Sequence, residues 1–157
     1  MSSVPPSMAR ANVEAELDGA RAWAGRHGWA LDWGPGDLLL RAATYHRPVH
    51  RLLEVVAAVD GYRGEPPAWR VVELGTLTPT VDRFPSAAPN SIFHAHKVIC
   101  APWNRCAYKE YDANGPHDNW GGPSGWLQVT EGTRATTIAE MLAMIDVHLR
   151  QSPGYMS

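Results

Sequence analysis

Apolar positions Val13, Leu17, Ala20 and Ala24 return every three or four residues, while Glu14, Glu16, Asp18 and Arg21 fall between them. That spacing gathers the apolar set on one stripe of a helix, and predicts an amphipathic helix from about Arg10 to the His27-Gly28 stop. Residues 1–9, with Pro5, Pro6 and several serines, read as a flexible leader that adds nothing to a core. The period then changes. Trp29 to Trp33 alternates large apolar residues, Gly34-Pro35-Gly36-Asp37 has turn chemistry, and Leu38 to Tyr45 resumes, which predicts a hairpin. Past the Arg47-Pro48 break, Arg51 to Val59 is a third apolar run, and Gly61 to Pro67 separates it from a fourth, Ala68 to Glu73. The third run lacks a clean period and its Ala57-Ala58 pair would suit a helix; it is read as a strand. The four segments form an antiparallel meander.

From Leu74 to Trp126 regular patterning fails, and Pro79, Pro85, Pro89, Pro102, Pro116 and Pro123 punctuate it. Such a stretch is either functional or disordered, and its many aromatic residues with modest charge point to the first. Periodicity returns at the end. Thr137-Ile-Ala-Glu140 has the form of a capping box, and Ile138, Met141, Leu142, Ile145 and Leu149 then line one face of a helix that runs to about Arg150 and stops at Ser152-Pro153-Gly154.

The 157 residues are 45% hydrophobic and 19% charged, which suits one α+β domain over residues 10–157 with a real core. The formal charge of −2 and the scattered basic residues argue against nucleic acid as a main partner. No apolar run has membrane length and no secretory signal pattern opens the chain, so the expected compartment is a reducing cytoplasm. There the two cysteines, Cys100 and Cys106, read as reactive, metal-binding or buried thiols rather than as a disulfide.

Three stretches carry a resemblance. Gly61-Tyr62-Arg63-Gly64-Glu65-Pro66-Pro67-Ala68-Trp69-Arg70-Val71-Val72 resembles the tyrosine, paired prolines and following strand of ubiquitin-conjugating enzymes. His96-Lys97-Val98-Ile99-Cys100 resembles the segment ending in their active-site cysteine. Trp126-Leu127-Gln128-Val129, the polar loop to Thr137, the last helix and Ser152-Pro153 resemble their ending, so the likeness spans roughly residues 10 to 153. There are departures. The family places a His-Pro-Asn triplet ahead of the cysteine; this chain has Ala88-Pro89-Asn90 at a longer spacing, and one helix follows where many eukaryotic members have more. Both features are similar to bacterial relatives found beside ubiquitin-like proteins and activating enzymes.

The resemblance implies a UBC-like fold and a thioester-forming acyltransferase. Cys100 would carry the C-terminal acyl group of a ubiquitin-like protein and pass it to an amine, a task for a reachable, partly ionised thiol that is also a good leaving group. Asn90 by family position, and His94 or His96 by proximity, are the candidates for stabilising the oxyanion or moving the proton. Asn104, His117, Asp118 and Asn119 are candidates for an acceptor-side wall. The implied partners are an activating enzyme, received by the helix face with Arg10, Glu14 and Arg21, a ubiquitin-like protein, and a peptidase that reverses the modification. No small-molecule cofactor is implied. Two rivals remain. His94, His96, Cys100 and Cys106, with His117 beyond, offer enough nitrogen and sulfur for tetrahedral zinc, and a non-catalytic member of the fold would only bind a ubiquitin-like protein. A papain-like hydrolase has less support, because no distal His-Asn pairing is evident in so short a chain.

Overall fold

The computed structural model describes residues 4–156. Helix α1 spans Pro6–His27 and is followed by β1 (Trp29–Gly34), β2 (Leu39–His46), β3 (Arg51–Ala58) and β4 (Ala68–Val72), with α2 at Ile138–Gln151. The architecture is α+β, and the four strands form an antiparallel meander in the order β1-β2-β3-β4. The Arg51 run is thus a strand, paired along its length with β2.

The helix starts four residues earlier than its charge pattern suggests. Pro6 occupies the first turn, where the missing N–H has no intrahelical partner to lose, and Ala9 donates its N–H to Pro5 O at 3.0 Å. Residues 6–9 are helical and Ala9 is fully buried while Pro6, Ser7 and Met8 stay exposed, so the leader expected over 1–9 is corrected there; Met1 to Ser3 lie outside the described residues. At the other end Gly28 takes φ 75°, and its N–H closes the helix on Ala24 O.

Alternation sorts the sheet into two faces. Leu40, Ala42 and Thr44 on β2 pair with Ala57, Val55 and Leu53 on β3, and these inward residues pack with Val13, Leu17, Ala20 and Ala24 of α1 and with Met141, Leu142 and Ile145 of α2. Glu16 of α1 locks the helices together. One carboxylate oxygen accepts from the Tyr62 hydroxyl at 2.7 Å and the other from the Ile138 N–H at 2.8 Å, in the first turn of α2. The expected capping box is present: Thr137 accepts from the Glu140 N–H at 3.2 Å, and Glu140 accepts from the Thr137 N–H at 3.2 Å. Between β4 and α2 the chain has only short 3-10 turns and isolated bridges, and buried aromatics (Phe84, Phe93, Trp103, Tyr108, Trp126) pin it to the core.

Candidate functional site

The cysteine segment is a small hairpin against the sheet. Phe93 bridges Ile99, His94 N–H donates to Val98 O at 2.9 Å, and Cys100 N–H donates to Ile92 O at 2.6 Å. The turn is closed by Lys97 N–H on His94 O at 2.8 Å, with Lys97 at φ 61°. Cys100 therefore sits at the end of a short bridged turn, its backbone N–H tied to Ile92 O and its side chain partly exposed.

The chain then drops into the 3-10 turn Arg105–Ala107, which is clamped from inside. Arg105 is 2% exposed; its Nε donates to Pro66 O at 2.9 Å, and Nη2 donates to Asp60 O at 2.5 Å. This guanidinium fastens the turn to the loop that carries the paired prolines. The chain next makes a compact excursion and returns beside itself: His117 N–H donates to Ala107 O at 3.1 Å and Lys109 N–H donates to His117 O at 2.9 Å. Gly115 is needed at the closest approach, because a Cβ there would lie 2.7 Å from the Tyr108 carbonyl carbon.

That return brings His117 to Cys100. The Sγ to Nε2 distance is 3.0 Å, and the other ring nitrogen, Nδ1, is 3.1 Å from Asn119 Oδ1. An amide oxygen only accepts, so Nδ1 carries the proton and Nε2 offers its lone pair to the thiol. Trp120 stacks on the imidazole at 3.6 Å and 6° between planes, and Tyr108 meets the indole edge-on at 5.4 Å. The ring is thus fixed by its backbone, by Asn119 and by Trp120. Burial pushes the Cys100 thiol above its ordinary value, so sulfur keeps its proton at neutral pH until a base takes it. His117 Nε2 is in position to be that base.

The other candidates fall out differently. Asn90 is exposed, at φ 62°, and its side chain makes no hydrogen bond to Cys100 among the described residues. His94 Nδ1 accepts from the His96 N–H at 3.1 Å, a bond local to the hairpin turn, and its ring meets His96 edge-on at 4.9 Å. Burial first, and then the charges of His96 and His117, hold His94 below the usual imidazole range. Asn104 is no acceptor wall. It is fully buried, its Oδ1 accepts from the Trp69 and Cys106 N–H groups at 2.8 and 3.2 Å, and its amide nitrogen donates to Ile99 O at 2.7 Å. Asp118 points to solvent.

Cys106 is 3% exposed and packs with Ala68, Val98 and Ala107; burial pushes its thiol up to about 11. Cys100 is not part of that cluster, and both thiols are free. The zinc set His94, His96, Cys100 and Cys106 is not assembled, since no group of three or more histidine, cysteine or carboxylate side chains is arranged to hold a metal ion among the described residues. No helix among them is long and apolar enough to cross a membrane.

Sequence reasoning missed the Cys100–His117–Asn119 chain of hydrogen bonds, having placed His117 on an acceptor wall and found no distal His-Asn pairing. The only local signal was the His117-x-Asn119 spacing, which would put imidazole and amide on one side of an extended segment, although the chain bends at residues 118–120. Comparison with family models, with curated proteins and with solved structures finds no match to this chain, so its geometry and chemistry carry the functional reading.

Proposed function

We propose that this chain is a cysteine acyl carrier of the ubiquitin-conjugating type: Cys100 takes the C-terminal acyl group of a ubiquitin-like protein as a thioester and hands it to an amine. The observation that carries the reading is the 3.0 Å contact between Cys100 Sγ and His117 Nε2, with Asn119 holding the imidazole in its accepting form. A thiol lifted by burial needs such a base to become a nucleophile, and a resident thioester needs a reachable, strain-free perch at the end of a bridged turn. The order helix, four-stranded meander, irregular segment, helix supports the likeness to that family, as do the Tyr62 and Pro66-Pro67 features that fasten the sheet to α1 and to the Arg105 turn.

In this reading His117 does the proton work first assigned to His94 or His96, and Asn119 positions it. An activating enzyme that consumes ATP supplies the acyl group, a ubiquitin-like protein is the cargo, a peptidase reverses the product, and the cytoplasm is the compartment. No small-molecule cofactor takes part. The test is a trapping assay with a cognate activating enzyme, ATP and ubiquitin-like protein. Wild type and Cys106→Ser are expected to give a thiol-sensitive adduct on a non-reducing gel, and Cys100→Ser none or a thiol-resistant ester. Equal adducts on wild type and Cys100→Ser, both thiol-sensitive, would remove Cys100 from the role.

A further inference from the structure

Receiving an acyl group from another thioester is a sulfur-for-sulfur exchange, and a free amine attacks a thioester without assistance. A base kept in its accepting form after the thiol is acylated can take the proton an attacking amine sheds, but the amine already has a nucleophilic lone pair and does not depend on that base to attack. An oxygen nucleophile does require one, because a neutral hydroxyl attacks only as its proton is withdrawn. Once Cys100 is acylated, Sγ has no proton left to give. His117 Nε2 then remains beside the thioester with its lone pair free, because Nδ1–H is committed to Asn119 Oδ1 at 3.1 Å and the ring is held against Trp120 at 3.6 Å. Next to Asn119 and Trp120 opens a groove of about 250 Å³, walled also by Gln128, Thr130 and Glu131. Those walls bear amides, a hydroxyl and one carboxylate beside Trp120 and Val129, and the groove meets the imidazole through Asn119 and Trp120 rather than being lined by Cys100 or His117.

We infer that the Cys100 thioester has a second acceptor class, hydroxyl oxygen, supplied by water or by an alcohol side chain, with His117 as the general base. This rests on the reading of Cys100 as acyl carrier. In the step, the O–H proton passes to His117 Nε2 as oxygen bonds to the acyl carbon. The tetrahedral intermediate then collapses with cleavage of the C–S bond, and the proton moves from Nε2 to Sγ. The products are the carboxylic acid or ester and the free thiol, with no oxidant or reductant involved. His117 is a catalytic residue in this step and Asn119 a positioning residue.

The experiment loads the full chain with p-nitrophenyl acetate, removes excess ester, and follows S-acetyl Cys100 by intact mass and peptide mapping. Loaded protein is held in buffer alone, with N-acetyl-threonine amide, or with Nα-acetyl-lysine amide. The wild-type adduct is expected to decay in buffer to acetate, or with the threonine probe to its acetyl ester; the first product assigns water as the oxygen source and the second an alcohol. His117→Ala, loaded at higher pH, is expected to slow both by about a hundredfold or more, the usual scale of a general base. Asn119→Ala changes an exposed side chain, so the fold is kept; it is expected to slow the decay and displace its pH profile, and Asn119→Asp to restore it. Decay at the same rate in wild type and His117→Ala, with acceleration by the lysine probe alone, would overturn oxygen transfer and leave the carrier reading standing. Absence of both an adduct and p-nitrophenol release above the Cys100→Ser background on folded wild type, with ready acetylation in urea, would sink both.

Discussion

Asn104 has no exposed surface, and its amide joins three segments: the start of β4 at Trp69, the cysteine segment at Ile99 and the 3-10 turn at Cys106. Asn104→Ala would take this partner from two buried N–H groups and two carbonyls, those of Ile99 and Trp69, and a buried group left unpaired costs about 1–3 kcal/mol. The variant is expected to lose about 3 kcal/mol or more in urea unfolding, and Asn104→Asp less, since its carboxylate still accepts from both N–H groups. An unchanged midpoint for the alanine variant would contradict the clasp. At this scale Cys100 was legible, because a cysteine behind an apolar pair and ahead of a proline loop is a recognisable arrangement. Its partner was not: seventeen residues separate Cys100 from His117 in a segment without period, and only the return of the chain along Ala107 to Lys109 brings them together. The same lack of period made His94 and His96 look closer to the chemistry than His117, and hid the structural task of Asn104.

Elements were read well where a pattern repeats. The α1 stripe, the four strands and the α2 capping box all follow from side-chain periodicity and turn residues, since burial of one face is what those elements are built for. The first turn of α1 escaped notice because two prolines look like a break, although one at the first helical position is well tolerated. The excursion from Lys109 to Pro116 depends on a single glycine, whose missing Cβ lets the backbone pass the Tyr108 carbonyl. Gly115→Ala is expected to cost about 1–3 kcal/mol as the loop is pushed aside. It should lower the alkylation rate of Cys100 at pH 7 toward that of His117→Ala while leaving Cys106 unlabelled. Normal Cys100 reactivity with a folded, destabilised loop would show that His117 does not need this path. Thr137→Ala, by contrast, removes a cap in α2 and is expected to cost about 1 kcal/mol with no change at Cys100.

Across the whole molecule, two histidines are buried, His148 in α2 and His46 at the end of β2 against Ser152 and Tyr155. His46 is 1% exposed with Nε2 3.4 Å from Ser152 O, and His148 is 8% exposed in α2. Burial is the largest cause in both, and it holds each ring below its ordinary value of 6.5. A depressed histidine binds its proton later in the folded state than in the unfolded one, so the unfolded state takes up protons first as pH falls. The stability these groups contribute is full above about pH 7.5 and is lost as pH drops through the unfolded value near 6.5 toward the folded one. Tm is therefore expected to be flat above neutrality and to fall between about pH 6.5 and 5, with the slope reduced in His46→Gln and His148→Gln variants. A Tm rising on acidification through that window would have the wrong sign for buried neutral rings.

The central claim is that His117 makes Cys100 a nucleophile, and the pH dependence of iodoacetamide labelling at Cys100, read by intact mass, tests it most directly. Wild type is expected to show the shallower pH dependence and to keep more reactivity on the acid side than His117→Ala, through thiol-to-imidazole proton transfer. In His117→Ala the rate should fall about tenfold for every pH unit below an ordinary or raised thiol ionisation. Superimposable profiles for the two proteins would contradict the claim.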